Sequence, residues 1–232
     1  MPLLGSAAML LSFDVNTDAI VEHDRWHTQE HLPERLSIAG FLRGTRWIAT
    51  AGTPRYMVLY EVANLQTLAS DAYLARLNNP TPWTAQIMPH YRGMNRGLCA
   101  VLGSFGHGQG GTAALIRFVP DASSATSLHR WLLEDALPGV PRMPGFGSAH
   151  LLQGAQAAAM TNEQRIRGAD RAVDAAIVLT GYDGDAVAAC AQGLCAEDGL
   201  PARGARELMS AVYRLDYSLD HTELAERRPR TA

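Results

Sequence analysis

The stretch FDVNTDAIVEHDRWHTQEHLPERLSIAGF, residues 13–41, lies over FVPDASSATSLHRWLLEDALPGVPRMPGF, residues 118–146, without a gap. Phe13 falls on Phe118, Arg25 on Arg130, Trp26 on Trp131, Leu32-Pro33 on Leu137-Pro138 and Gly40-Phe41 on Gly145-Phe146, at a constant offset of 105. A self-match at fixed spacing is the signature of a repeated structural unit. The chain is therefore expected to fold as two copies of one pattern.

Each half then reads the same way. In the first, AAMLLSFDV (7–15) is a strand and residues 19–38 are a helix. FLRGTRWIAT (41–50) and RYMVLYEV (55–62) form a strand pair joined by the AGTP turn, residues 64–79 a second helix, and RGLCAVLGS (96–104) a last strand. In the second, AALIRFV (113–119), a helix over 124–137, GFGSAHLLQ (145–153), DAAIVLTGY (174–182), a helix over 184–196 and LMSAVYRLDY (208–217) repeat the order. That order is βαββαβ, the ferredoxin-like unit. A four-stranded sheet with both helices on one face leaves the other face bare, and two such sheets can bury those faces together. The expected fold class is α+β: two ferredoxin-like βαββαβ repeats whose antiparallel sheets pack as an α+β barrel.

The first repeat spans residues 1–105, GHGQGG (106–111) is a linker, and the degenerate second repeat spans 112–232. Laying Val58-Leu59 on Val178-Leu179 gives an offset of 120, which implies about 15 inserted residues near 157–170. That segment has no apolar period and is expected to be mobile and outside the core.

Composition narrows the chemistry. The 232 residues are 47% hydrophobic and 19% charged, with a net charge of −3 that gives no reason to expect nucleic acid or an anionic membrane. All 20 basic residues are arginine. Without lysine there is no Schiff-base chemistry and no P-loop. Cys99, Cys190 and Cys195 have no metal-type spacing and read as buried thiols in a reducing compartment. No apolar run reaches the roughly 20 residues that cross a bilayer, and the apolar N-terminus lacks a basic n-region. A cytoplasmic location follows as the expectation.

His23, His27 and His31 sit at i, i+4 and i+8 on the first helix, one stripe shared with Ile20. The repeat supplies the control. Their counterparts are Leu128, Leu132 and Ala136, an apolar stripe that must face its sheet. The histidines are therefore expected to face theirs, in a half-buried site. Imidazoles where leucines would suffice cost stability unless each finds a partner. The plain structural alternative is core histidines satisfied by backbone or a tyrosine. HTQEH also has the H-x-x-E-H form of a zinc motif. It lacks a third ligand, since no Asp or Glu lies between Asp71 and Asp121, and Glu30 is off the stripe. Haem, or a divalent metal shared by His27 and His31, is the other alternative; the expectation is that no cofactor is used.

NPTPWTAQIMPHY (79–91) is broken by prolines and expected to fold over the helix–sheet cleft as a lid, bringing Trp83, His90 and Tyr91 to the site. Trp26 recurs as Trp131, which favours a structural role, and Arg46 on the strand pair could orient an anionic group.

Trp26, His31, Pro33 and Gly40-Phe41 together form W-x4-H-x-P followed by an A-G-F step. This resembles the EthD-like members of the dimeric α+β barrel superfamily. IAG stands where LPG is common, and the second half keeps LP and PGF without the histidine. The resemblance implies a small-molecule pocket between sheet and helices and a superfamily that includes muconolactone isomerases, polyketide cyclases, cofactor-free monooxygenases and haem enzymes. It gives His31 the most weight, since it matches the family position.

The expected function is a cofactor-independent enzyme on a small apolar substrate of aromatic or lactone type. His31 would be general acid/base, with His27 or Tyr91 orienting it or stabilising an enolate. His23, Trp26, Trp83, His90 and Arg46 would contact substrate. Isomerase, cyclase or lyase chemistry leads; a cofactor-free monooxygenase is the runner-up, and a haem- or metal-binding barrel without turnover the third reading. The expected partner is a small-molecule substrate, with a homodimer as the one protein assembly in view, and neither nucleic acid nor membrane.

Overall fold

Strand β1 (Ala7–Val15) alternates: Ala8 and Leu10 face one apolar cluster, and Met9 and Phe13 face another. The same two-sidedness recurs along β2 (Phe41–Ala51), β3 (Tyr56–Val62), β4 (Tyr91–Gly106), β5 (Thr112–Pro120) and β6 (Phe146–Gly154). After the two-residue β7 (Arg171–Ala172), it continues in β8 (Ala175–Gly181), whereas β9 (Ala205–Asp220) is exposed along much of its first half. A strand buried on both faces needs a layer on each side. Here one layer is the inside of a barrel and the other is a coat of helices. These elements come from a computed structural model that describes residues 3–155 and 160–225.

The strands run β1-β3-β2-β9-β5-β8-β6-β4, and β4 pairs back to β1, so eight antiparallel strands close on themselves. The halves do more than stack sheet on sheet. The two 16-residue strands are seams: β4 bonds to β1 of its own half and to β6 of the other, and β9 bonds to β5 and to β2. Closure joins the two edges of the eight-strand ring, and β7 adds a short parallel pairing to β4 at Asn95 and Arg96. Leu10, Trp47, Met57, Leu59, Leu115, Val178 and Tyr213 are among the side chains that fill the interior.

Outside, the first half carries α1 (Ile20–Trp26), a π-turn (His27–His31), α2 (Leu32–Leu36), α3 (Asp71–Asn78) and α4 (Pro82–Ile87). The second carries α5 (Ala125–Trp131), a π-turn (Leu132–Ala136), α6 (Asn162–Arg167) and α7 (Gly184–Cys195), and α8 (His221–Ala225) ends the described chain. No described helix is long and apolar enough to cross a membrane.

The two halves agree residue by residue. Both π-turns begin 105 residues apart and both are followed by Leu-Pro. A helical proline has no N–H to give and its ring crowds the carbonyl one turn back, so a widened turn relieves both. Gly40 and Gly145 each take a left-handed φ, +91° and +94°, before the next strand. Met9 pairs with Tyr60 while Ala114 pairs with Leu179, and Phe13 pairs with Tyr56 while Phe118 pairs with Ala175. An offset of 105 in one strand therefore goes with 119 in the next, not the 120 read from Val58-Leu59. The difference matters because one residue of slip exchanges the faces of a strand: Val58 faces the helices, whereas Val178 faces the barrel interior.

The insertion also departs from expectation. Residues 157–159 of the predicted loop lie outside the described residues. The described part is not excluded from the core: α6 begins with a capping box at Thr161 and buries Glu163, which is 2% exposed. It packs on the first half, where Asn162 bonds to Asn78 and Glu163 pairs with Arg35.

Candidate active site

The histidine stripe faces the sheet. His23, His27 and His31 are 0%, 1% and 6% exposed. Their rings form a ladder, with centroids 5.6 Å apart for His23–His27 and 5.5 Å for His27–His31, and the Trp26 ring lies 4.3 Å from that of His31. Opposite them the sheet presents Phe13, Tyr56, Tyr60 and Tyr91.

The three histidines differ in what they bond. His23 Nδ1 meets Asp24 Oδ1 at 3.0 Å, and Tyr56 donates its hydroxyl to the same oxygen at 2.7 Å. Burial alone would raise the Asp24 carboxyl, but the bonds from His23 and Tyr56, with Arg46 nearby, hold it below the usual range. An ionised carboxylate only accepts, so His23 carries its proton on Nδ1 and accepts from the Tyr91 hydroxyl on Nε2, at 3.2 Å. The result is a closed relay, Tyr91 to His23 to Asp24, with Tyr56 as a second donor. Arg46 braces it: Nε donates to Asp216 at 2.7 Å and a terminal nitrogen to the Asp24 carbonyl at 3.1 Å.

His27 and His31 are different. The Nδ1 of each is buried without a partner, and so is the Tyr60 hydroxyl. Burial, helped by Arg46 near His27 and Arg35 near His31, pushes both imidazoles well below their ordinary range. Burial likewise pushes the Tyr60 and Tyr91 phenols up. At neutral pH the site therefore holds neutral imidazoles with a free nitrogen and protonated phenols.

The other half shows which of these groups the fold does not need. In strand register Tyr56, Tyr60 and Tyr91 fall on Ala175, Leu179 and Ala205, and the histidines fall on Leu128, Leu132 and Ala136. The polar set is confined to one of two equivalent helix–sheet layers.

Of the residues anticipated from sequence, His23, Trp26, His27, His31, Tyr91 and Arg46 come together. Trp26 is fully buried and donates to Glu30 and Thr84, which ties α1 to α4. Trp83 and His90 do not join them. Trp83 donates to Glu22 and stacks with Arg25, and His90 bonds to Asn16. Of the segment 79–91, Tyr91 reaches the stripe at His23 and Thr84 bonds to Trp26, while Trp83 and His90 lie to the side. The insertion of the other half packs beside the site, with α6 against α3 and the 88–90 turn: Arg35, 1% exposed, pairs with Glu163 and Glu34, and Arg167 pairs with Asp170. Asp24, Tyr56, Tyr60, Arg35 and Glu163 are the residues sequence reading missed. Correct strand register would have shown Tyr56 and Tyr60 opposite the stripe.

Among the described residues no group of three His, Cys, Asp or Glu side chains is arranged to hold a metal ion.

No protein-family model and no curated protein matches the chain. Solved structures do match in shape. An anthrone oxidase-like protein superposes with a TM-score of 0.59 at 11% identity, over 95% of this chain and 96% of its own. A protein from Fusobacterium nucleatum subsp. nucleatum with a provisional monooxygenase name gives 0.59 at 9% identity, over 94% and 95%. Chlorite dismutase from Candidatus Nitrospira defluvii, in complex with imidazole, gives 0.55 at 11%, over 95% and 93%. Each match spans both halves, and the chain shares with these proteins an α+β fold built on a closed barrel of eight antiparallel strands.

Proposed function

We propose that the chain is a cofactor-independent enzyme that removes a proton from a small, largely apolar aromatic or lactone-type substrate in the helix–sheet layer of its first half. One observation carries this reading. Unpartnered nitrogens on His27 and His31 and an unpartnered hydroxyl on Tyr60 are buried in the first half, where the equivalent positions of the second half are Leu132, Ala136 and Leu179. Buried polar groups without partners are costly, and a substrate that bonds them offsets that cost.

His31 is the base. Burial keeps it neutral at pH 7, so its nitrogen is free to accept a proton. The imidazolium that forms is disfavoured there unless an anion lies beside it. Deprotonating a carbon next to a carbonyl supplies that anion as an enolate, and the Tyr60 hydroxyl is a donor for its oxygen. Tyr91, its own hydroxyl held by His23, fixes the wall of the site. A substrate of this kind enters when α6 moves off the layer.

The enolate has two fates. Reprotonation or ring closure gives an isomerase or cyclase, with lyase chemistry of the same type. The second reading is a cofactor-free monooxygenase, favoured by the names of two structural neighbours. There a deprotonated methylene and dioxygen give a carbonyl and water, the substrate supplying the electrons. We also read the chain as a tandem duplication, EthD-like in its first half, that works in the cytoplasm.

Anthrone and a panel of lactones and aryl ketones in deuterium oxide test the reading. Without oxygen, the protein should speed deuterium exchange at the activated carbon, and His31→Ala should abolish this. Oxygen uptake on admission of air marks the monooxygenase. No exchange on any carbon acid of the panel overturns the proposal.

A further inference from the structure

Strand β1 separates two environments. Phe13 faces outward toward His23, and its neighbour Ser12 is a fully buried residue paired with Asn95 on β4. At this end of the barrel a cavity of about 200 Å³ opens, lined in part by Asn95, Arg117, Arg171 and Met209. Arg117 is the unusual member. It occupies on β5 the position that Ser12 occupies on β1, and it is only 9% exposed.

Its guanidinium contacts the Met209 sulfur at 2.9 Å, and no described carboxylate pairs with it. Asp174 and Glu207 line the same cavity, but both are exposed; burial bears most on Arg117, followed by Tyr213 and the like charge of Arg171. Tyr213, within electrostatic reach of Arg117, buries its hydroxyl without a partner, and so does Ser12. A buried cation without a counter-charge is among the costliest arrangements a fold can hold.

We propose that this end of the barrel is an anion site that takes the carboxylate of a small organic acid, with Arg117 as its anchor and the Tyr213 and Ser12 hydroxyls as donors. The planar guanidinium matches a carboxylate in a two-bond fork. A single buried positive charge balances a monoanion. A phosphate dianion exceeds that one buried charge, since on the exposed rim Arg171 is already matched by Asp174 and Glu207. The site is on the barrel side of β1 and the histidines are on the helix side, so it stands whether or not the acid/base reading holds.

Thermal melts at constant ionic strength test it, with acetate and benzoate set against acetamide, benzamide and inorganic phosphate, each up to about 50 mM. The acids should raise the melting temperature saturably, the amides should not, and Arg117→Met should remove the response. Tyr213→Phe and Ser12→Ala should each raise the half-saturating concentration about tenfold. Equal effects of acids and amides, a response that survives in Arg117→Met, or tighter binding of phosphate than of acetate would overturn the assignment. If Arg117→Met does not fold, unchanged half-saturation in both hydroxyl variants overturns it.

Discussion

His27 and Leu132 start equivalent π-turns 105 residues apart, and they are 1% and 0% exposed. One unit thus tolerates a leucine where the other buries an imidazole whose Nδ1 has no partner. The variant His27→Leu copies the second half into the first. It should fold and gain about 1 kcal/mol by removing an unsatisfied polar atom, read as a higher urea midpoint with unchanged m-value. His31→Ala copies Ala136 in the same way and should lose turnover by about 10²-fold or more while remaining folded. A His31→Ala protein that is destabilised but keeps its specific activity would show that the imidazole is structural.

The tyrosines offer a sharper contrast. Tyr91 donates to His23, whereas the Tyr60 hydroxyl bonds to nothing. Tyr91→Phe leaves His23 Nε2 without its donor and should cost about 1–3 kcal/mol. Tyr60→Phe removes an unsatisfied group and should leave stability equal or better. If Tyr60 bonds the enolate, turnover should nonetheless fall by about 10²-fold. Full activity in a stable Tyr60→Phe would remove it from the site.

Much of this arrangement was legible in the sequence because it rests on periodicity. The offset of 105, set by Phe13, Trp26, Leu32-Pro33 and Gly40, carried the βαββαβ order and the inward face of the histidines. The closed barrel follows from strand lengths that pattern alone underestimates: RGLCAVLGS covers just the middle of β4, whose ends pair with two different partners. Val58-Leu59 misled by one residue because Val-Leu is common in buried strands and either face accepts it. Asp24 and Glu163 were hidden for another reason. Each looks like a solvated surface acid until tertiary packing brings Tyr56 to one and Arg35 to the other, 128 residues away in sequence.

That second contact predicts a latch. Arg35 and Glu163 are 1% and 2% exposed and join the first half to the insertion of the second. Glu163→Gln leaves Arg35 with Glu34 as its acidic partner. The loss should fall near the low end of the ~3–5 kcal/mol typical of breaking a buried pair. Residues 160–170 should then become the first site of proteolysis, and substrate should exchange faster. Equal protease resistance in Glu163→Gln and the parent would show that the pair does not hold the segment.

The histidines also set the response to acid. Burial lowers His23, His27 and His31 below 6.5, the two last by a wide margin, and His150 to about 4. In the unfolded chain all four bind protons below about pH 6.5, and in the folded protein they resist. Stability is therefore fully present above that pH and declines as the pH falls toward the folded values. Each histidine adds a slope of up to about 1.4 kcal/mol per pH unit. Urea midpoints should be flat from pH 8 to 7 and fall steeply from about 6.5 to 5. His27→Leu and His23→Leu should each remove one proton's worth of that slope. The same depression keeps the His31 nitrogen free well below pH 6.5. Turnover measured on folded protein should then hold level across the range in which stability is already falling, and a drop in turnover centred near pH 6.5 would mean that the catalytic imidazole is exposed and not the one buried under Trp26.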